Sequence, residues 1–293
     1  MNRHTALFVT IAWVAILLCP LATAVAARDT ITWMESDMPP YFINSGPLQR
    51  QGYGNVITNL ITAQLPDYDH RFLVTNVVRH FNRMKQGEKV CVIGLYKTPE
   101  REAFIEFSIP SMLTMPAVLA VRKERMAEFK ADPSLNLTKL LQNRQAAIGY
   151  SKDRSYGVGL DQILKNPAFR EQFVGHAGQA IPANFVKMLM LNRLDGILGM
   201  PDETMYLADT MGIKEQIALL PLAENRGDYS TWFCYAGCAK TDWGRTVIAK
   251  VNKVLLDQRP TERYRAAYER WLDSHCTEFY RKIYEENFLP VTR

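Results

Sequence analysis

Residues 90–124 read VCVIGLYKTPEREAFIEFSIPSMLTMPAVLAVRKE and contain the pattern that decides the fold. The segment opens with a short apolar run that is typical of a buried strand and that stops before Thr98-Pro99. Phe107-Ser108-Ile109-Pro110 predicts a turn, and a second apolar run at 117–121 predicts another strand. In open α/β sheets the ligand crevice lies outside the carboxyl ends of the strands. Arg101, just beyond the first strand, is therefore a candidate anion contact.

The residues before this segment alternate between strand and helix patterns. Strands are predicted at 30–34 and 72–75, and helices with apolar residues on one face are predicted at 55–64 and 77–86. This alternation favours a parallel sheet with helices on both faces.

Length and composition are those of a globular chain. Its 293 residues suffice for one large or two ordinary domains, and a hydrophobic content of 47% can build sizeable cores. The formal net charge is only +5, and no long run of Lys or Arg indicates a surface for nucleic acid or lipid headgroups. Nucleic acid is therefore not an expected partner.

The N-terminus has the features of a secretory signal. An apolar stretch at 6–18 is too short to span a membrane, and small residues follow it at 24–27. Residues 1–27 are therefore predicted to be a cleaved signal peptide, and the mature chain is expected in the periplasm.

The cysteines that remain after export are expected to form one or two disulfides in an oxidising compartment, and they are Cys91, Cys234, Cys238 and Cys276. On a straight strand Cys234 and Cys238 lie about 13 Å apart, out of disulfide reach unless Gly237 makes a turn. A bond from Cys91 to either of them would instead link two strands. The spacing of these cysteines does not fit a zinc site.

The order of a strand, Thr98-x-x-Arg101, Phe107-Ser108-x-Pro110 and a second strand resembles type II periplasmic solute-binding proteins. The resemblance is to their family three, which includes receptors for polar amino acids, and it covers most of residues 30–272. It implies an α/β fold with two lobes, each a mostly parallel sheet flanked by helices, joined by two crossing strands near 117–121 and 219–223. The first lobe is expected to comprise residues 28–121 and 222–293, and the second residues 122–221. Residues 276–293 lie outside the resemblance and have no assigned role.

The same resemblance implies a set of ligand contacts. Arg101 corresponds to the residue that clamps a ligand carboxylate, next to Thr98 and Tyr96. The loop after the first strand contributes its candidates in sequence order: Glu35, Tyr41 and Phe42. Structural roles remain open for all of these, since Arg101 can pair at the surface and aromatic residues more often fill a core.

The second lobe is expected to hold the ligand from the opposite side. Arg154 and Ser155 lie in a turn before a predicted helix, where Ser155 can act as N-cap and the helix start favours an anion. Amino-acid receptors of the family place an Asp, which holds the α-ammonium group, where this chain has Met200. That departure argues against an α-amino-acid ligand. Asp202 or Glu203 replaces the charge only if the loop is reshaped.

These features predict a non-catalytic periplasmic receptor that closes two lobes over a small polar solute bearing a carboxylate. An ABC-type permease or a membrane sensor is the expected partner, the receptor is expected to be a monomer, and no cofactor or metal is expected. One alternative is an exported enzyme on the same scaffold, such as a dehydratase, with Glu35, Asp202 or Glu203 as its acid. Another is an interaction module of a membrane signalling system that binds no solute.

Overall fold

The computed structural model describes residues 28–129, 134–143, 145–152, 154–177, 181–227 and 229–293. The predicted signal peptide at 1–27 lies outside the described residues. Within them the strands are β1 (Asp29–Glu35), β2 (Tyr68–Val74), β3 (Val90–Leu95), β4 (Ile105–Leu113), β5 (Val118–Arg122), β6 (Ile148–Ser151), β7 (Phe173–His176), β8 (Gly196–Gly199), β9 (Ile217–Pro221) and β10 (Phe233–Ala239).

The helices cover both sheets and are α1 (Tyr53–Thr62), α2 (Val77–Lys85), α3 (Pro99–Glu102), α4 (Leu137–Asn143), α5 (Val158–Lys165), α6 (Ile181–Met190), α7 (Pro201–Thr210), α8 (Asp242–Gln258), α9 (Glu262–Glu269) and α10 (Ser274–Ile283). None of these helices is both long and apolar enough to cross a membrane.

The strands form two five-stranded sheets with the same plan. The first has the order β2-β1-β3-β10-β4 and the second the order β7-β6-β8-β5-β9. In the first sheet β10 runs antiparallel to both of its neighbours, and β5 does so in the second. The other four strands of each sheet therefore share one direction, which confirms the predicted mostly parallel sheets of two lobes.

Burial along the strands explains how well the sequence predicted them. β3 is central in its sheet and almost wholly buried, so its sequence is a continuous apolar run. β2 is an edge strand whose residues are mostly exposed, and its first half is polar. Only the end of β2 was therefore predicted as a strand.

The turn predicted at Phe107-Ser108-Ile109-Pro110 is wrong, because these residues belong to β4. Pro110 lies opposite Tyr235, where the register between β4 and β10 shifts. A proline lacks the N–H that a regular ladder needs, and such an irregularity accommodates it. Ser108 is also used inside the sheet, since its hydroxyl accepts a hydrogen bond of 2.9 Å from the backbone N–H of Ala236.

Two connections join the sheets, at residues 114–117 and 222–232. β5 and β9, the segments expected to cross, lie side by side in the second sheet directly next to these connections. One continuous hydrophobic cluster includes residues of both sheets' layers, for example Trp33 and Ile57 from the first and Phe185 and Met205 from the second. The two lobes therefore share one hydrophobic core cluster.

A disulfide joins Cys91 on β3 to Cys238 on β10, which are opposite each other in the antiparallel pairing. Of the pairings that the sequence left open, this is one that links two strands. Cys234 and Cys276 are buried free thiols.

The C-terminal segment packs against the connection between the lobes. The Tyr280 hydroxyl donates to the carbonyl of Leu113 at the end of β4, and Asp273, the N-cap of α10, accepts from the backbone N–H of Leu219 on β9. A π-helical turn, Tyr284–Phe288, follows α10. The segment therefore contacts strands of both sheets.

Candidate functional site

A cavity of about 310 Å³ lies between the two lobes. The loop after β1, the end of β3 and the segment 112–115 form its wall on the first lobe, and residues 154 and 200–203 form its wall on the second. Tyrosines and methionines make up about half of the residues that line it. The volume is near the lower end of the range for small-molecule pockets.

Tyr41 is held in the cavity wall by β3. Its hydroxyl donates to the carbonyl of Ile93, and its ring lies 5.2 Å from the ring of Tyr53. Gly94 has a φ of +81°, and a Cβ at this position would collide with the Tyr41 hydroxyl. Because Gly94 has no side chain, the Tyr41 hydroxyl fits against the end of β3.

Glu35 and Phe42, two predicted ligand contacts, do not line the cavity. Glu35 is fully buried and accepts a hydrogen bond of 2.7 Å from Arg50 and one of 3.3 Å from Asn55. Asn55 also accepts from the backbone N–H of Ile43. In this structure Glu35 anchors the loop between β1 and α1, and Phe42 is a core residue with 1% exposure.

Arg101 also lies outside the cavity lining. Thr98 is the N-cap of α3 and accepts from the backbone N–H of Arg101. The Arg101 guanidinium donates to the carbonyl of Tyr96 at 2.8 Å and lies 4.8 Å from the ring centroid of Phe81. Tyr96 itself lines the cavity and is 52% exposed. Arg101 therefore supports the backbone of a cavity residue, whereas Thr98 does not reach the cavity.

Arg154 is a cation in the cavity wall on the second lobe. Its guanidinium meets both carboxylate oxygens of Glu203, one of them at 3.2 Å, and this hydrogen-bonded partner raises the pKa of Arg154. Both residues line the cavity. An arginine fork held in two places by a carboxylate is a strong and directional pair.

The expectation that Ser155 acts as the N-cap of the following helix is wrong. α5 begins after Gly157, which has a φ of +102° and no side-chain cap. The Ser155 hydroxyl instead donates to Asp161 within α5. Ser155 does not line the cavity.

The end of β8 and the first turn of α7 bring Met200, Asp202 and Glu203 to the cavity. Pro201 starts the helix, and the two acids lie in its first turn, where the helix dipole favours negative charge. The loop is thus arranged so that acids three and four residues after the end of β8 line the cavity, while Met200 lines it with a thioether.

Asp202 is only 8% exposed and contacts elements of the first lobe. It accepts hydrogen bonds from the hydroxyl of Tyr53 on α1, at 3.0 Å, and from that of Tyr268 on α9, at 3.4 Å. Burial raises the pKa of Asp202 to about 6, and the nearby Glu203 charge also raises it. The hydroxyl of Tyr268 in turn accepts from the backbone N–H of Met115 in the connection between the lobes.

Sequence reasoning missed several lining residues: Tyr53, Met112, Thr114, Met115 and Cys234. No local pattern marks them: Tyr53 reaches the cavity from the start of α1, and the other four reach it through the pairing of β4 with β10 and the course of the connection at 114–117. Burial raises the pKa of the Cys234 thiol to about 12, so it is neutral in the cavity wall. No group of residues in the described ranges is arranged to hold a metal ion.

Solved structures share this fold at low sequence identity. An ancestral cationic amino acid solute-binding protein matches with a TM-score of 0.63 and 17% identity, over 84% of this chain and 96% of that one. A substrate-binding protein of a polar amino acid ABC uptake transporter from Streptococcus thermophilus matches with a TM-score of 0.60 and 16% identity, over 88% and 91%.

A histidine kinase sensor domain with similarity to periplasmic binding proteins matches with a TM-score of 0.51 and 17% identity, over 84% and 96%. At these identities the likeness shows the fold alone. A search of curated proteins found no match.

The sequence model of the family described as bacterial extracellular solute-binding proteins, family 3, matches residues 31–274. It covers both sheets and the cavity between them. The chain belongs to this family of extracellular solute-binding proteins.

Proposed function

We propose that this protein is a non-catalytic periplasmic receptor that closes its two lobes over one small solute in the cavity between them. The observation that carries the proposal is that both lobes supply the cavity wall, with Tyr41, Tyr53 and Tyr96 on one side and Arg154 and Asp202 on the other. A solute held by both walls stabilises the closed arrangement, and hinge motion about the two connections would release it.

The partner that fits this function is a membrane protein that reads the closed form. Similar folds occur in a binding protein of an ABC uptake transporter and in a histidine kinase sensor domain. A permease of the ABC type and a membrane sensor therefore both remain candidates.

Among the described residues, the carboxylate predicted for the solute has one candidate partner in the cavity, because Arg101 lies outside the lining. That partner is Arg154, which already pairs with Glu203. A solute carboxylate would have to compete with Glu203, or Arg101 would have to leave Tyr96 and Phe81. That the solute carries a carboxylate therefore stays a prediction from the sequence.

An enzyme on this scaffold is supported by one observation, the raised pKa of Asp202. A carboxyl group with a pKa near working pH can transfer protons, and such groups concentrate at active sites. Both carboxylate oxygens of Asp202, however, accept from tyrosine hydroxyls of the first lobe. This arrangement is suited to joining the lobes, and we therefore favour the receptor.

A thermal-shift screen of the mature chain tests the receptor. A solute at 100 times its Kd is expected to add about 2.7 kcal/mol to the free energy of unfolding, which corresponds to a rise in Tm of several degrees. An enzyme would also turn the solute over, so each hit is incubated with the protein and analysed by mass spectrometry. Recovery of the unchanged solute is expected, and a product would establish the enzyme.

A further inference from the structure

The charges that line the cavity do not balance. Within the described residues its charged lining consists of Arg154, Asp202 and Glu203. The two nitrogens at the end of the Arg154 guanidinium each contact an oxygen of Glu203, so these two charges satisfy each other. Asp202 accepts hydrogen bonds from two tyrosine hydroxyls and makes no ion pair in the described part of the chain. An ionised Asp202 thus gives the wall a net negative charge.

The rest of the wall favours a positive charge on the solute as well. Tyr41, Tyr53 and Tyr96 line the cavity, and the negative faces of aromatic rings attract cations. The thioethers around them suit an apolar body and adapt to its shape, and they belong to Met38, Met112, Met115 and Met200.

We propose that the cavity takes a small organic cation with an aromatic or apolar body, an amine or guanidine head and no free carboxylate, and that Glu203 sets this choice by occupying Arg154. The proposal rests on the receptor function above and names the solute class of that site. A solute carboxylate must either displace Glu203 from Arg154 or lie beside two protein carboxylates, and like charges at close range are strongly unfavourable. An amine contacts Asp202 and the tyrosine rings and leaves the ion pair between Arg154 and Glu203 in place.

Matched compounds with one body and different heads test the choice of charge. The probes are phenethylamine, phenylpropionamide and phenylpropionate, together with hexylamine, heptanamide and heptanoate, each titrated in a thermal-shift assay up to millimolar concentration. In the wild-type chain the amine of at least one set is expected to bind at least about tenfold more tightly than the carboxylate. Phenylalanine, which adds a carboxylate to the phenethylamine body, is expected to bind more weakly than phenethylamine.

Glu203→Gln separates the role of this residue from the overall charge of the protein. The variant removes one negative charge and frees Arg154, so the ratio of amine to carboxylate affinity is expected to fall by at least about tenfold. Glu88→Gln is the matched control. Glu88 likewise pairs with an arginine, Arg83, but lies outside the cavity, and the ratio is expected to stay unchanged.

Arg154→Gln provides a second variant if Glu203→Gln folds poorly. It leaves Glu203 without its partner, so amines are expected to bind at least as tightly as in the wild-type chain. Loss of amine binding in Arg154→Gln, or carboxylates that bind the wild-type chain as tightly as amines, would overturn the proposal and leave the receptor function standing. A panel in which no probe binds any variant would also overturn this proposal, whereas the receptor function is decided by the broader thermal-shift screen described above.

Discussion

Tyr53 on α1 donates a hydrogen bond of 3.0 Å to Asp202 on α7, and this bond crosses the cleft between the two lobes. The second oxygen of Asp202 accepts from Tyr268, whose hydroxyl also accepts from the backbone N–H of Met115 in the connection. One carboxylate therefore joins two helices of the first lobe, the connection and the second lobe. The same carboxylate lines the cavity, so Asp202 both joins the lobes and lies where a solute would bind.

The first prediction concerns Asp202 and pH. Its pKa in the folded chain is raised to about 6 from an ordinary 3.8 by burial, so the folded chain holds this proton more tightly than the unfolded chain does. Its contribution to stability is therefore most favourable below about pH 4 and decreases as the pH rises to about 6. Asp202→Asn keeps an acceptor for a tyrosine but has no charge to bury. It is expected to raise the free energy of unfolding by up to about 3 kcal/mol at neutral pH and by little at about pH 4.

Urea unfolding at both pH values measures this difference. Tyr53→Phe is a useful companion, because it removes one hydrogen bond to Asp202 and leaves the carboxylate in place. A wild-type chain that is more stable than Asp202→Asn at neutral pH would show that the tyrosine hydrogen bonds outweigh the cost of burying the charge.

The second prediction concerns Arg101, the anion clamp that the sequence suggested. A clamp removed from water on closure would be worth about 2 to 5 kcal/mol, and Arg101→Ala would then lose roughly 30-fold to 4,000-fold in solute affinity. Because the guanidinium holds Tyr96 and Phe81 in this structure, we expect a loss below about tenfold, through looser placement of Tyr96. Calorimetric titration of the variant with a solute from the screen distinguishes the two roles. A loss in the larger range would restore Arg101 as the clamp.

The third prediction concerns Arg259, which fixes the C-terminal segment. Its side chain is 1% exposed, stacks 4.4 Å from the Phe288 ring and donates to four backbone carbonyls, those of Pro110, Phe288, Leu289 and Val291. Arg259→Ala leaves these acceptors without a donor and is expected to lower the free energy of unfolding by about 3 to 5 kcal/mol. Denaturant unfolding tests this, and the control is Arg245→Ala at an exposed position of α8, the helix that ends just before Arg259. Equal stability of the two variants would mean that water replaces the Arg259 contacts.

The fourth prediction concerns the disulfide between Cys91 and Cys238. It closes a loop with a sequence separation of 147 residues, and removing such a crosslink typically costs about 2 to 5 kcal/mol. The double substitution Cys91→Ala and Cys238→Ala is expected to lower the free energy of unfolding by that amount, which denaturant unfolding measures. Alkylation of the unfolded, unreduced wild-type chain is expected to label only Cys234 and Cys276 among the cysteines of the mature chain. Label on Cys91 or Cys238 would contradict this pairing.

The fold was predictable where a local pattern and the final environment agree. β3 is apolar because it is buried on both faces, and α1 buries the apolar residues Ile57, Leu60 and Ile61 that stand at helical spacing. β4 was missed because Pro110 indicates a turn locally, whereas its partner β10 lies far along the chain. That pairing exists only in the tertiary structure, so no window of sequence displays it.

The site was less predictable than the fold, because a charged residue faces the cavity only if no partner elsewhere in the structure binds it. The position of Glu35 in the sequence predicts a place in the cleft, but its carboxylate accepts hydrogen bonds from Arg50 and Asn55 instead. The position of Asp202 in the cavity wall follows only from the start of α7 at Pro201, which brings both acids of its first turn to the cavity. Arg259 has no sequence signal, because an arginine just beyond the end of an amphipathic helix is usually exposed.

Filling the cavity tests most directly the central claim that the solute lies between the lobes. Thr114 lines the cavity and is half-buried in the connection, so Thr114→Trp is expected to occupy the space that a solute needs. The measurement is calorimetric titration of this variant with the tightest solute from the screen, beside the exposed control Thr246→Trp on α8. The receptor account predicts that Thr114→Trp loses binding by at least about 100-fold while Thr246→Trp binds as the wild-type chain does. Undiminished binding by a folded Thr114→Trp would show that the solute binds elsewhere and would contradict the account.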